Sequence, residues 1–137
     1  MDWFECNKKR IVKEVTEDTE LIESLKKTSI NKLNSEEKLE LDEVTSNSKL
    51  SLAYDSLREL LEALAIKNRF KIYNHECYTP FLKEILNQTE EAEEFDELRK
   101  IRNNINYYGK DISLTDANEV IKRIKELRKK ILSLLDN

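Results

Sequence analysis

Glycine and proline are almost missing from this chain. Its 137 residues include one of each, where average usage gives about ten glycines and about seven prolines. Sandwiches and barrels need a turn residue every few positions, so this composition argues strongly against them. Rossmann and P-loop nucleotide sites need clustered glycines and are excluded outright. The two cysteines, Cys6 and Cys77, are too few for a disulfide framework. A single histidine, His75, rules out a zincin pair, and with Cys6 and Cys77 it makes only a weak metal constellation. No metal site and no cofactor are predicted. No serine-hydrolase elbow occurs. No apolar run reaches membrane-spanning length, and Met1 to Lys8 does not read as a signal peptide. The expectation is a soluble, cytoplasmic protein without a membrane partner. The net charge of −4 gives no bulk reason to expect nucleic acid, so any such site must be a local patch.

What is present is helix-forming sequence. Hydrophobic residues make up 39% and charged residues 38%, and the apolar ones are mostly leucine and isoleucine at three-four spacing. Amphipathic helices use that ratio well, because each hides one stripe and solvates the rest. The composition predicts a single all-α domain, 1–137, of about five helices. Residues 1–15 read as an N-terminal arm or a short helix. Thr16 or Asp18 caps a helix running to about Leu33, and Ser35 is a reasonable cap for the next. From Glu36 a helical pattern continues almost to Phe70, with poor helix formers at Thr45-Ser46-Asn47-Ser48 allowing a kink or restart. Its apolar stripe is Leu50, Ala53, Leu57, Leu60, Leu61 and Leu64. Residues 68–74 read as a loop, and a helix follows from about His75 to Gln88, with Pro80 near its first turn.

The segment from Glu90 to Tyr108 is the most polarised. Acidic residues come first and Arg99, Lys100 and Arg102 follow, an order that suits the helix macrodipole. Gly109 reads as the left-handed residue that ends this helix. Thr115-Asp116 opens the last helix, whose outer face carries Lys122, Arg123, Lys125, Arg128, Lys129 and Lys130 against Glu119 and Glu126. That face reads first as solvated and second as a partner surface.

Within the polarised helix, Phe95, Leu98, Ile101, Ile105 and Tyr108 share one side at about 100° per residue. Arg99, Arg102, Asn103 and Asn106 form a polar stripe beside it. A guanidinium next to an apolar face needs a carboxylate, carbonyls or a bound anion. The cluster therefore suits either a phosphate or an ion-pair network, with Asp55 or Glu59 as candidate acidic partners of Arg102. His75 reads as a helix-start hydrogen-bonding residue, or as a base that folds back toward Arg102.

Arg102-Asn103-Asn104-Ile105-Asn106-Tyr107-Tyr108-Gly109, at the end of a helix and before a final amphipathic one, resembles the signature of HEPN domains. Residues Ala53 to Leu64 are similar to the long second helix of that family, and Asn74-His75-Glu76 to the start of its next helix. The resemblance covers roughly residues 18–136. It implies an up-and-down helical bundle that dimerises. It also implies a metal-independent ribonuclease whose motif is an arginine, a polar residue, four to six further residues and a histidine. Arg102 matches the arginine and Asn103 the polar residue, while Tyr107 stands in the region of the histidine. Two readings follow. In one, Arg102, Asn103 and Tyr107 are catalytic, with Arg99, Asn106, Tyr108 and His75 binding RNA or a nucleotide. In the other, the chain is a catalytically inactive dimeric subunit, paired with a nucleotidyltransferase as in toxin–antitoxin systems.

Overall fold

The computed structural model describes residues 1–108 and 111–137, with the side chains of 106–108 left out. The sequence-based reading of Gly109 as a helix terminator therefore lies outside the described residues. The architecture is an all-α bundle with one small two-stranded ribbon. Among the described residues, no helix is long and apolar enough to cross a membrane.

The N-terminal stretch is both a short helix and a strand. Helix α1 (Trp3–Lys8) is capped by the Asp2 side chain, which accepts from the Glu5 N–H. Strand β1 (Val12–Glu14) then pairs antiparallel with β2 (Phe70–Ile72), with Val12 opposite Ile72 and Glu14 opposite Phe70. The predicted loop at 68–74 thus contains a strand. Three-residue strands carry too little alternation to register in a sequence pattern.

Helix α2 (Thr19–Lys38) starts where the capping signal placed it, with Asp18 accepting from the Leu21 N–H. It does not stop near Leu33, and Ser35 is not a cap. Ser35 lies inside the helix and donates to the Asn31 carbonyl four residues back, the alternative that serine has within a helix. The break falls at 39–45 instead. There the Asp42 carboxylate accepts from the Val44 and Thr45 N–H groups, which keeps Asp42 below its ordinary pKa. Helix α3 (Ser46–Lys67) follows.

Helix α3 is the centre of the molecule. It packs on α2 and on the last helix, α6 (Leu114–Asp136), and Leu50, Ala53, Tyr54, Leu57, Leu60 and Leu61 along it are fully buried. The region predicted as one helix from His75 to Gln88 is wound three ways. A 3₁₀ turn (His75–Cys77) leads into the α-turn α4 (Tyr78–Pro80) and a wider π turn (Phe81–Ile85). Helix α5 (Thr89–Tyr108) then runs back to α6. The cap of α6 is Ser113, accepting from the Asp116 N–H, two residues before the predicted Thr115.

Helix ends in a chain this poor in glycine require other residues at positive φ. Arg10, Arg69 and Asn87 hold φ of 60°, 67° and 57°. Arg69 directly follows the cap residue of α3, and its N–H returns to the Ile66 carbonyl at 2.9 Å, the place glycine usually takes.

Cys6 and Cys77 are joined by a disulfide. One bond is no framework, but it links α1 to the turn that carries His75. The pairing was hidden in the sequence because 71 positions separate the two cysteines. Trp3 packs edge-on to Phe70 and against Phe81, and its backbone N–H donates to the Glu84 carboxylate at 2.8 Å.

Candidate functional site

The site forms where α3, the His75 turn and α5 meet. From α3, Tyr54, Arg58 and Glu62 recur every four residues and so face one side. Tyr54 is fully buried. Its ring stacks on Phe95 of α5 at 6.1 Å between centroids, and its hydroxyl lies 3.2 Å from His75 Nδ1. The Arg102 guanidinium sits over the same ring, 5.0 Å from its centroid, an attraction between a cation and the π-face. His75 and Arg102 therefore reach Tyr54 from different elements, one on its hydroxyl and the other on its face. One reading of the sequence has His75 fold back toward Arg102; here the two residues share Tyr54 as a common neighbour.

Asn74 sets the His75 turn. Its side chain accepts from the Glu76 N–H at 2.9 Å, the local alternative that asparagine offers a turn. The turn also brings Tyr78 in edge-on to Phe95 and near enough to Glu62 and Arg58 for their charges to act on its hydroxyl. Arg58 donates to the Glu62 carboxylate at 3.1 Å. On α5, Asp96 accepts from Arg99 at 2.9 Å and from Thr79 at 3.2 Å, and pairs with Lys100 at 3.0 Å. The Arg99 Nε is buried with no hydrogen-bond partner among the described residues.

Protonation states follow from this packing. Burial is the main force that depresses His75, and the charges of Arg58, Arg102 and Arg99 add to it, taking its pKa to about 4. Burial pushes Tyr54 up to about 12 against the opposing pull of the same three arginines. Burial also raises Tyr78, with the Glu62 charge helping. For Asp96, burial works against the charge, but the hydrogen bonds from Arg99 and Lys100 outweigh it and hold the carboxyl below its ordinary value. At neutral pH the imidazole is thus neutral and the Tyr54 phenol intact. The pair shares one hydrogen bond, which runs from the phenol to Nδ1 in the Nε2–H tautomer and from Nδ1–H to the phenol oxygen in the other.

The structure brings together Arg99, Arg102 and His75. Asn103 is half-buried on the following position of α5. The side chains of Asn106, Tyr107 and Tyr108, the remaining predicted site residues, lie outside the described residues. Glu59 is not placed as a partner for this site. It is buried on another face of α3, where Lys32 and the Thr28 hydroxyl engage it. Sequence reading missed Tyr54, Arg58 and Tyr78. The four-residue recurrence of Tyr54 and Arg58 was a usable signal, but intrahelical ion pairing accounts for Arg58 equally well.

The basic face of α6 is also not what its composition suggested. Arg123 is clamped by Glu94 and Glu97 of α5, whose hydrogen bonds raise its pKa further. Lys125 pairs with the buried Glu36 at 2.7 Å, and Arg128 is itself buried. Lys122, Lys129 and Lys130 remain exposed, so half of the face is turned to internal partners. The combination of Cys6, Cys77 and His75 offers no thiolates to a metal, since the two sulfurs are bonded to each other. Comparison with protein-family models, with curated proteins and with solved structures finds no match to this chain.

Proposed function

We propose that this chain is a HEPN-like domain that binds a phosphate of RNA or of a nucleotide at the face of α5 carrying Arg99, Arg102 and Asn103. The supporting observation is the gathering of three guanidiniums, Arg58, Arg99 and Arg102, around the Tyr54–His75 pair. Guanidiniums match phosphate oxygens in planar, bidentate geometry, and Nε2 of the neutral His75 ring adds a hydrogen-bonding group without adding charge. The test is binding of a labelled single-stranded RNA and of ATP without metal. Arg102→Ala is expected to weaken binding at least tenfold, and unchanged binding refutes the site. Metal-free RNA cleavage, lost in Arg102→Ala, distinguishes a ribonuclease from a binder.

The second reading is the inactive dimeric subunit beside a nucleotidyltransferase. The pKa of His75 favours it, because an imidazole near 4 is a weak base and is unprotonated as an acid at neutral pH. Size-exclusion chromatography reports the dimer, and co-purification with a co-expressed nucleotidyltransferase reports the pairing.

A further inference from the structure

A second cationic site lies on the opposite side of the central helix. Ser56 and Leu60 are each two positions, about 200° of helical rotation, from Tyr54 and Arg58. They face away from the cluster described above. Outside them, α2 and α6 border an open groove of about 400 Å³ that reaches down to Leu60.

Arg128 lines this groove and is 6% exposed. Its Nε and Nη2 donate to one acceptor, the Ser29 hydroxyl, at 3.3 and 3.0 Å. That hydroxyl is neutral, and its own proton goes to the Ser56 carbonyl at 2.6 Å. No carboxylate among the described residues lies within ion-pair distance of Arg128. A guanidinium carries five N–H donors, so serine satisfies it only in part and does not neutralise it. Burying a charge without a counter-charge is costly. The nearby carboxylate of Asp136 is already held by Lys26 at 3.0 Å. Lys27, on the rim, is exposed and has no ion-pair partner among the described residues. Glu23 also lines the groove, and its carboxylate, like that of Asp136, is engaged by Lys26, at 3.8 Å. The apolar part of the lining is Leu60, Leu132 and Ile30, the last 42% exposed.

We propose that this groove binds a small organic anion with an apolar tail, its charged head on Arg128 and Lys27 and its tail along Ile30, Leu60 and Leu132. The volume falls within the range of small-molecule sites. The ligand supplies the direct ion pair that the fold does not, since the charge of Glu37 acts on Arg128 only from beyond ion-pair distance. The apolar lining excludes ligands that are charge alone, and the buried cation excludes those that are hydrocarbon alone.

The experiment uses the full chain with octanoate and octyl phosphate, followed by thermal unfolding and by the ¹⁵N–¹H resonances of arginine Nε. Both probes are tested below their micellar concentrations, beside acetate and octylamine. Octanoate or octyl phosphate is expected to raise the melting temperature with concentration and to move the Arg128 Nε resonance, and the preferred head group distinguishes a carboxylate from a phosphate ligand. Acetate and octylamine are expected to do neither. Arg128→Gln is expected to abolish the response. Should that variant fold poorly, exposed Lys27→Glu carries the test, with affinity falling about tenfold. Failure of both anions to bind overturns the proposal, as does equal binding of octylamine, or of octanoate to Lys27→Glu. None of these outcomes bears on RNA binding at Arg102, so the two sites are tested separately.

Discussion

His75 shows how a single side chain records its surroundings. An unperturbed imidazole titrates near 6.5 and this one near 4. The folded pKa is therefore depressed, and the unfolded chain binds the extra proton between those values. Stability is fully present above about pH 6.5 and declines as the pH falls toward 4. The ring is only partly buried, so solvent screening reduces the effect to about 2 kcal/mol. Denaturant unfolding of the wild type and of His75→Gln at pH 7 and pH 4.5 isolates this term from the carboxylates, and the wild type is expected to lose more stability than the variant. The residue scale also holds a stabilising change. Arg69 pays the left-handed penalty at φ 67°, which glycine avoids. Arg69→Gly is expected to gain about 0.5–1 kcal/mol in denaturant midpoint analysis, and Arg69→Ala to gain nothing, since alanine keeps the Cβ that causes the clash.

At the scale of elements, the junction of α2, α3 and α6 depends on one buried carboxylate. Glu36 is 1% exposed and pairs with Lys49 at 3.0 Å and Lys125 at 2.7 Å. Lys49 also donates to the Glu36 and Leu39 carbonyls at 2.7 and 2.5 Å, so it closes the C-terminal end of α2 from α3. Removing the carboxylate leaves a buried ammonium without counter-charge. Glu36→Ala is expected to destabilise by about 3–5 kcal/mol, and Glu36→Leu with Lys49→Met to recover much of that; chemical denaturation of the three proteins measures both. Legibility at this scale depended on length. The stripe Leu50, Ala53, Leu57, Leu60, Leu61 and Leu64 spans four turns, and every member is buried. The Asp18 cap was readable because it satisfies N–H groups of its own first turn. The end of α2 was not readable, because it is set by Lys49, a residue of the next helix. The charges of α6 misled for the same reason: Arg123, Lys125 and Arg128 have partners on α5 and α2, far away in sequence. The candidate site divides in the same way. Arg99, Arg102 and Asn103 were visible as a stripe on one helix, whereas Tyr54 and Tyr78 join them only through tertiary packing.

At the scale of the whole molecule, the chain's first residues are fastened to its middle. The ribbon of β1 and β2, the Trp3 contacts with Phe70 and Phe81, and the Cys6–Cys77 disulfide all hold the N-terminal arm against the segment that positions His75 and Tyr78. A cross-link spanning 71 positions restricts the unfolded chain by about 4 kcal/mol of loop-closure entropy, an upper figure because unfolded chains retain structure. The noncovalent fastenings act in the folded state and survive reduction. Cys6→Ser with Cys77→Ser is therefore expected to fold with native helical content and to lose about 2–4 kcal/mol of unfolding free energy in chemical denaturation. The His75 turn is also held from within, by the Asn74 side chain and by the Tyr54 hydroxyl, so the His75 pKa of the double variant is expected to stay near its wild-type value. NMR titration of the single imidazole measures this directly. A return of that pKa toward 6.5 in the variant would show that the disulfide, and not the packing of α3 and α5, keeps the ring buried.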